Sequence, residues 1–225
     1  MPQAGLHGLT GMAVARFAEK RERLLLGIIL GTMLPDMDNV AVAIAALAGA
    51  DTHGLHRTFT HSVFFVLLII LTFYLIGMLR KQPRLINLGV GLAIGVTMHI
   101  LLDLIGWFSG VDILWPIDYE LNFWKNTAPP QWFMIFIQPA ELLMFAAYLH
   151  VLGIWARRYD TDRNFQGTLR NWMIFEIVLF VIFTPLAYIM TRGFLTIFGA
   201  FYLFSLFMVF FVTIRKRETV EAAAS

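Results

Sequence analysis

The sequence contains no cysteine among its 225 residues. This absence excludes disulfide bonds, CxxC redox motifs and thiolate metal sites, so a metal ion would have to be bound by His, Asp or Glu. Charged residues are also scarce, at 14% of the chain, where about 25% is usual in soluble proteins. The formal net charge is only +2. This composition disfavours a disordered chain and a nucleic-acid-binding protein.

Apolar residues are abundant instead, at 59%, compared with about 45–50% in an ordinary soluble chain. The composition therefore predicts a single membrane domain over residues 1–225. Five stretches are long and apolar enough to cross about 30 Å of hydrocarbon as helices, which satisfy their own backbone hydrogen bonds. These stretches are residues 62–79, 86–108, 132–155, 172–190 and 195–214. We therefore expect an all-α integral membrane protein with about five full transmembrane helices.

A sixth apolar stretch, residues 24–48, is interrupted at its middle by polar residues and a proline. These residues are Pro35, Asp36, Asp38 and Asn39. A single lipid-facing helix would hold them only at a high cost in free energy. We interpret the stretch as a broken or re-entrant pair of helices, and whether the pair crosses the bilayer is left open. Residues 9–23 mix apolar and charged side chains and predict an amphipathic helix at the membrane surface.

The connections between the predicted spans differ in their content of basic residues. Ten Lys and Arg residues follow residues 79, 155 and 214, on one side, and three lie on the other side. Because short basic loops are retained in the cytoplasm, the ten predict a cytoplasmic C-terminus in a multi-pass protein. The four basic residues between Arg16 and Arg23 cannot be placed by this rule, because the route of the broken pair is open.

The first polar motif is Leu-Pro-Asp-Met-Asp-Asn at residues 34–39. Asp36 and Asp38 lie two residues apart in the predicted kink, where their carboxylates could converge on a metal ion. The alternative is an interfacial turn in which Asp and Asn cap helix ends.

The second motif is His-Arg-Thr-Phe-Thr-His-Ser at residues 56–62, immediately before a predicted span. The imidazoles of His56 and His61 are favoured ligands of zinc, and Arg57 between them could neutralise a phosphoryl or carboxyl oxygen. The alternative is a solvated flank of a membrane helix.

The third motif is His99-x3-Asp103, inside a predicted span. Residues four apart lie on one helical face, about 6 Å from each other, so both could bind one ion or the Asp could orient the imidazole. A structural His–Asp pair that joins two helices is the alternative.

The predicted topology brings these motifs to one side of the membrane. His61 begins a helix that ends at Arg80, and the next helix returns from that loop toward His99 and Asp103. The loop after Asp103, which contains Trp115, opens on the same side and could wall a pocket. Glu141 approaches from this side as well, as a ligand, a base or a helix cap, and its role is left open. Glu176 and His150 lie nearer the predicted cytoplasmic face, where we expect structural roles.

In this order and spacing, the motifs LPDxD, HRxxTHS and HxxxD at residues 34–38, 56–62 and 99–103 resemble the family of bacterial inner-membrane proteins typified by YdjM. The similarity covers roughly residues 5–120, the motif-bearing half, and leaves out a C-terminal three-helix half at residues 131–214. The resemblance implies an inner-membrane location and an assigned activity of metal-dependent hydrolysis. It also implies that His7 belongs to the metal site.

We therefore expect a membrane-bound hydrolase that uses one or two divalent ions, with zinc favoured by the imidazoles. The expected ligands are His7, Asp36, His61, His99 and Asp103, with His56 and Asp38 as further ligands or as their hydrogen-bond partners. Asp38 and Arg57 are the candidate catalytic residues, Arg57 as the stabiliser of a developing oxyanion.

The expected partners are membrane lipids and an amphiphilic substrate, with a phosphoester or another ester of a lipid-like molecule as the first choice. A metal- or proton-handling transporter, in which intramembrane His and Asp residues form a relay, is the alternative function. A membrane scaffold without a metal ranks third. The sequence leaves open the substrate, the metal and the number of ions, and the oligomeric state.

Overall fold

The computed structural model describes residues 3–190 and 192–224. Within these residues the chain is helical, with one isolated β-bridge between Val111 and Leu121 and no strand. The helices are α1 (Ala4–Ala13), α2 (Leu24–Met33), α3 (Asn39–Leu47), α4 (Val63–Leu79), α5 (Pro83–Gly106), α6 (Gln131–Arg158), α7 (Gln166–Ile189), α8 (Phe194–Arg215) and α9 (Arg217–Ala222). The predicted all-α fold is confirmed.

In the described part of the chain, four helices are long and apolar enough to cross a membrane: α5, α6, α7 together with the turn before it, and α8. Helix α4 is also apolar but has only 17 residues. At a rise of about 1.5 Å per residue it is about 25 Å long, which is the short end of the range for a span. Each of the five predicted stretches coincides with one of these helices to within a few residues.

The broken pair is also confirmed. Helix α2 and the segment Pro35–Leu47, which consists of a short 3-10 turn and α3, meet at a bend of 41°. Pro35 begins the turn, where its missing N–H costs nothing. Every residue of α2 is buried, whereas α3 has no buried residue. The bend therefore takes the chain from the core of the bundle to its surface, and it leaves Asp36 at the inner side of the break.

The N-terminus differs from the prediction of an amphipathic helix over residues 9–23. Helix α1 ends at Ala13, and a 3-10 turn and irregular backbone follow it. Helix α1 lies between α2 and α6 because two of its glycines allow close contact: Gly8 lies against Tyr148 and Gly11 against Thr32. Apart from the half-buried Arg23, the charged residues after α1 are exposed, so the polar half of the predicted helix is an exposed loop. The consequence is that α1 carries His7 into the core.

Helices α2 and α5 run parallel and touch through their backbones. Gly27 and Gly31 on α2 face Gly91 and Gly95 on α5, and a Cβ at Gly27 would lie 2.5 Å from the carbonyl oxygen of Leu88. Such GxxxG pairs let two membrane helices approach closely. The contact fixes the end of α2 against the middle of α5, which is where the polar motifs meet.

The end of the bundle opposite the motifs gathers basic residues. Arg84, in the first turn of α5, pairs with Glu22 at 3.6 Å. Arg16 and Arg158 line one cavity together with Ala223, near the C-terminus. The basic segment that the sequence could not place therefore lies with the other basic loops. The assignment of this end to the cytoplasm stays a prediction.

Candidate metal centre

The structure brings together all the expected metal ligands and candidate catalytic residues, and Glu141 lies beside them. This polar cluster consists of His7, Asp36, Asp38, His56, Arg57, His61, His99 and Asp103. It contains three groups whose possible ligand atoms lie within 4.8 Å of one another: His7–His99–Asp103, Asp36–His61–His99 and Asp38–His56–His61. Because His99 and His61 are each shared by two groups, the cluster is continuous.

Two imidazoles face each other at its centre. His99 Nδ1 lies 2.8 Å from the carbonyl oxygen of Thr32, to which it can only donate. His61 Nδ1 lies 3.0 Å from Thr60 Oγ1, and because this hydroxyl donates its proton to Asp38 Oδ2, it accepts from the imidazole. In both neutral rings the Nδ1 proton is therefore engaged and Nε2 carries a lone pair. These two Nε2 atoms are 3.0 Å apart. Two lone pairs cannot hydrogen-bond, so the arrangement suits a cation that both nitrogens bind.

Carboxylates flank this pair. Asp103 Oδ2 lies 3.6 Å from His61 Nε2, and Asp36 Oδ1 lies 3.9 Å from His99 Nε2. Both side chains are 2% exposed. Asp36 Oδ2 is buried and has no hydrogen-bond partner among the described residues. A buried carboxylate oxygen without a partner is costly unless a cation binds it. The donor set of two imidazoles and two carboxylates fits a divalent ion such as zinc.

His7 enters the cluster from α1. Its ring lies against the ring of His99, with 3.9 Å between centroids, and its Nε2 is 3.2 Å from Asp103 Oδ1. Burial lowers the pKa of His7, and the neighbouring His99 lowers it further. Burial likewise lowers the pKa of His61, which lies in the turn before α4. These shifts favour the neutral form of both imidazoles, which is the form that binds a metal ion.

Asp38 joins the polar break to the segment before α4. Its Oδ1 lies 2.7 Å from His56 Nδ1, and its Oδ2 accepts hydrogen bonds from Thr60 Oγ1 at 2.9 Å and from the backbone N–H of Arg57 at 3.3 Å. Thr60 in turn contacts His61, so Asp38 orients His61 through this hydroxyl. His56, 18% exposed, is the histidine of the cluster that reaches the surface. Asp38 and His56 therefore lie beside the facing imidazoles, on the outer side.

Arg57 is held inside the cluster although its chain segment is a loop. Its backbone has a φ of 63°, a left-handed conformation that is uncommon for residues other than glycine. Its Nε lies 3.0 Å from Asp103 Oδ2, its Nη1 donates to Ser109 Oγ, and its guanidinium lies 5.4 Å from the ring centre of Trp107. Only 6% of Arg57 is exposed. The side chain is thus a fixed positive charge beside the possible metal ligands.

The loop after α5 covers this side of the cluster, as the sequence predicted. The amide of Asp112 donates to the carbonyl oxygen of Arg57 at 3.0 Å, and Trp115 packs edge-on against Phe59 with 5.3 Å between ring centres. Neither Ser109 nor Trp107, which hold the Arg57 side chain, belongs to a motif. Sequence reasoning therefore missed them. It also missed Thr32, because a backbone acceptor leaves no side-chain signal.

Acidic side chains outnumber the permanent positive charges in the cluster. Asp36, Asp38 and Asp103 supply three carboxylates, and Arg57 supplies one guanidinium. With the histidines neutral and the carboxylates ionised, the cluster carries two excess negative charges. Such a surplus is expensive in a buried site of low polarity. One divalent cation would compensate it, so the residues present fit a metal ion by charge as well as by donor type.

Glu141 lies next to the cluster without joining any of the ligand groups. The side chain is 1% exposed, and its Oε1 accepts a hydrogen bond from the backbone N–H of Gly5 in the first turn of α1. Glu141, which lies on α6, therefore caps the N-terminus of α1. Helix capping was one of the roles that the sequence left open. Glu176 is buried on α7 and accepts from Ser205 Oγ at 3.1 Å. His150 is exposed on α6.

Comparison with known proteins places the chain in a family of membrane proteins. Residues 1–218 match the family model of the YdjM inner membrane protein. The match extends beyond the motif-bearing half and takes in the helices α6, α7 and α8. No curated protein and no solved structure shows significant similarity to the chain.

Proposed function

We propose that this chain, which belongs to the YdjM family of inner membrane proteins, is a membrane-bound, metal-dependent hydrolase. One observation carries the proposal: His61 Nε2 and His99 Nε2 lie 3.0 Å apart, each on a ring whose Nδ1 is already bound to an acceptor. A hydrogen-bonded structural pair would need a proton between the two nitrogens. A metal centre needs two lone pairs, which the acceptors at the two Nδ1 atoms favour at both Nε2 atoms.

In this proposal Asp36, His61 and His99 hold the ion, with zinc as the favoured metal because imidazoles take part. Asp103 and His7 complete the centre from α5 and α1, and a second ion can use the same residues. The metal, when bound, would supply Lewis-acid activation of water and of the bond to be cleaved.

The chain's own groups would handle charge and protons. Arg57, fixed by its contacts with Asp103 and Ser109, would stabilise an oxyanion that forms in the transition state. Asp38 holds His56 through Nδ1, so His56 Nε2, which has no partner among the described residues, is free to accept or donate a proton. This pairing is the arrangement of a base that a carboxylate orients. His56 and Asp38 are therefore proposed to move the proton.

The substrate is proposed to be amphiphilic. The cluster lies near one end of α5, and α3 beside it exposes large apolar side chains, such as Ile44 at 63% and Leu47 at 78%. An exposed apolar helix next to a polar centre suits a molecule that has both an apolar tail and a polar group to be cleaved. A phosphoester of a lipid-like molecule is our first choice, since Arg57 matches a phosphoryl oxygen in charge and geometry.

The hydrolase proposal is tested by metal content and turnover in the same variants. We expect purified wild-type protein to retain a divalent ion and to cleave a phosphoester from a panel of lipid extracts. His61→Ala should lose both, whereas His150→Ala, which removes an exposed histidine outside the cluster, should keep both. Metal binding without turnover on any ester would refute the hydrolase. Turnover that survives His61→Ala and chelation would refute the metal.

A metal- or proton-handling transporter is the second candidate. The observation that favours it is the pair of buried carboxylates on neighbouring helices, Glu141 and Glu176, each with one oxygen that lacks a partner among the described residues. Such groups can serve as steps of a relay through the membrane. Proteoliposomes separate the two functions, because a transporter moves zinc or protons across a sealed bilayer in the absence of any ester.

A further inference from the structure

A second polar feature lies at the opposite end of the bundle from the metal centre. It is a cavity of about 640 Å³ between the end of α1, the end of α6 and the C-terminal residues. Its walls include the side chains of Arg16, Arg158, Trp155, Tyr159, Leu9 and Val151. Helix α1 places His7 in the metal centre and Leu9, Met12 and Ala13 at this cavity. The metal centre and the cavity are therefore separate sites that one short helix joins.

The cavity carries positive charge that the chain leaves uncompensated. Arg16 comes from the 3-10 turn after α1, and Arg158 is the last residue of α6. The ion pairs at this end of the bundle involve other basic residues, namely Arg21, Arg23, Arg84, Arg163 and Lys216. Among the described residues, neither Arg16 nor Arg158 has an acidic partner, and the lining of the cavity contains no carboxylate. Two unpaired guanidinium groups in one concave site favour an anion that has several oxygens.

The remaining walls of the cavity are apolar or aromatic. Leu9 and Val151 present aliphatic surface, while Trp155 and Tyr159 present rings at the end of a helix that is long enough to span the membrane. Arg158 also lies over the ring of Tyr159, at 5.7 Å from its centre. Trp, Tyr and Arg at the end of a spanning helix are typical of the level of lipid headgroups. The cavity therefore offers a polar site and an apolar wall at the same depth.

We propose that this cavity binds the phosphate headgroup of an anionic phospholipid, with its acyl chains along the apolar wall. Basic pockets between membrane helices on the predicted cytoplasmic side suit anionic headgroups, which are enriched there. A soluble phosphate compound would use the two arginines but not the apolar wall. The bound lipid would also join α1 to α6, so its binding should stabilise the whole chain against unfolding.

The proposal is tested on the full chain in a neutral detergent. Thermal unfolding and native mass spectrometry are measured with phosphatidylglycerol, phosphatidylcholine or inorganic phosphate. We expect phosphatidylglycerol to raise the melting temperature and to remain bound, at an apparent affinity at least about tenfold higher than that of phosphatidylcholine. Equal effects of the two lipids would overturn the proposal. An equal effect of inorganic phosphate alone would show a soluble anion as the ligand and would also overturn it.

Variants identify the cavity as the site. Arg16→Gln combined with Arg158→Gln should remove the preference for phosphatidylglycerol, while Arg80→Gln, an exposed arginine on the loop after α4, should leave it unchanged. Retention of the preference in the double variant would place lipid binding elsewhere. Since both arginines are exposed, the double variant is expected to fold, and its metal content should equal that of the wild type. If it fails to fold, Arg16→Gln and Arg158→Gln are measured singly, and a preference that neither substitution weakens would overturn the proposal.

Discussion

Substitution of Gly95 by Ala should damage the metal centre from a distance. Gly95 lies on α5, one turn before His99, at the point where α5 touches α2. A Cβ at this position would lie 2.7 Å from the amide nitrogen of Thr32 and closer still to the carbonyl oxygen of Ile28. Both neighbours are helix backbone, which cannot rotate away as a side chain can. The two helices would therefore have to separate.

The size of this separation follows from the contact distances. Ordinary contact of a Cβ begins at 3.4 Å, so the approach to Thr32 falls short by about 0.7 Å, and the approach to the carbonyl oxygen of Ile28 falls short by more. The carbonyl oxygen of Thr32 accepts from His99 Nδ1 at 2.8 Å. Adding this minimum displacement takes the hydrogen bond to about 3.5 Å or more, at or beyond the limit at which such a bond exists. Overpacking costs about 1–3 kcal/mol, more than the gain of about 1 kcal/mol from replacing a helical glycine by alanine.

We expect Gly95→Ala to bind zinc about 10- to 100-fold more weakly, the usual cost of losing a group that orients a ligating histidine. The measurement is a zinc titration of the chelated protein, together with its thermal unfolding. Gly106→Ala is the matched control, because it makes the same change on the same helix where no atom lies within 4 Å of the new Cβ. Wild-type affinity in Gly95→Ala would refute the argument that helix contact positions His99.

Three further predictions concern other parts of the molecule. Arg57→Lys should keep the metal but lower turnover about 10²- to 10³-fold, because an ammonium cannot reproduce the two-pronged hydrogen bonding of a guanidinium. Unchanged kinetics would show that Arg57 is only a structural anchor. Glu141→Ala should lower the free energy of unfolding by about 1 kcal/mol, because it removes the cap of α1. Glu141→Gln, which keeps an acceptor oxygen, should be closer to wild type. An equal loss of stability in both variants would assign the effect to the charge. Impermeant thiol reagents should label cysteines at the predicted cytoplasmic positions in opened but not intact cells, and labelling from outside would reverse the orientation. These cysteine positions are Gln82, Asp160 and Ala223.

The spans and the polar break could be predicted because their signals are local. A run of about 20 apolar residues predicts a membrane helix with few alternatives. Pro35 beside two carboxylates predicts a break in such a helix. The error at residues 9–23 has a physical reason as well. Hydrophobicity alone cannot tell a surface helix from one that enters a bundle, whereas the glycine spacing in α1 could have indicated close packing.

Apart from His7, which only the family resemblance indicated, the membership of the polar cluster could be predicted from topology, since two consecutive spans return His99 and Asp103 to the level of His61. The arrangement within the cluster could not. The left-handed backbone of Arg57 and the carbonyl of Thr32 decide which atoms face the centre, and both depend on tertiary contacts. The roles of the individual residues as ligands or catalysts stay predictions.

The two halves of the chain meet at α1, and this contact explains how His7 can serve a site from so near the N-terminus. A helix of ten residues is marginal by itself, and Gln3 at its start makes no side-chain cap. Glu141, on α6, supplies the missing acceptor. The dipole of α1 also favours a carboxylate at the N-terminus of that helix. Helix α6 thus fixes the first turn of α1, and His7 follows two residues later. The C-terminal half has no recognisable motif, yet through Glu141 it holds one of the proposed metal ligands in place.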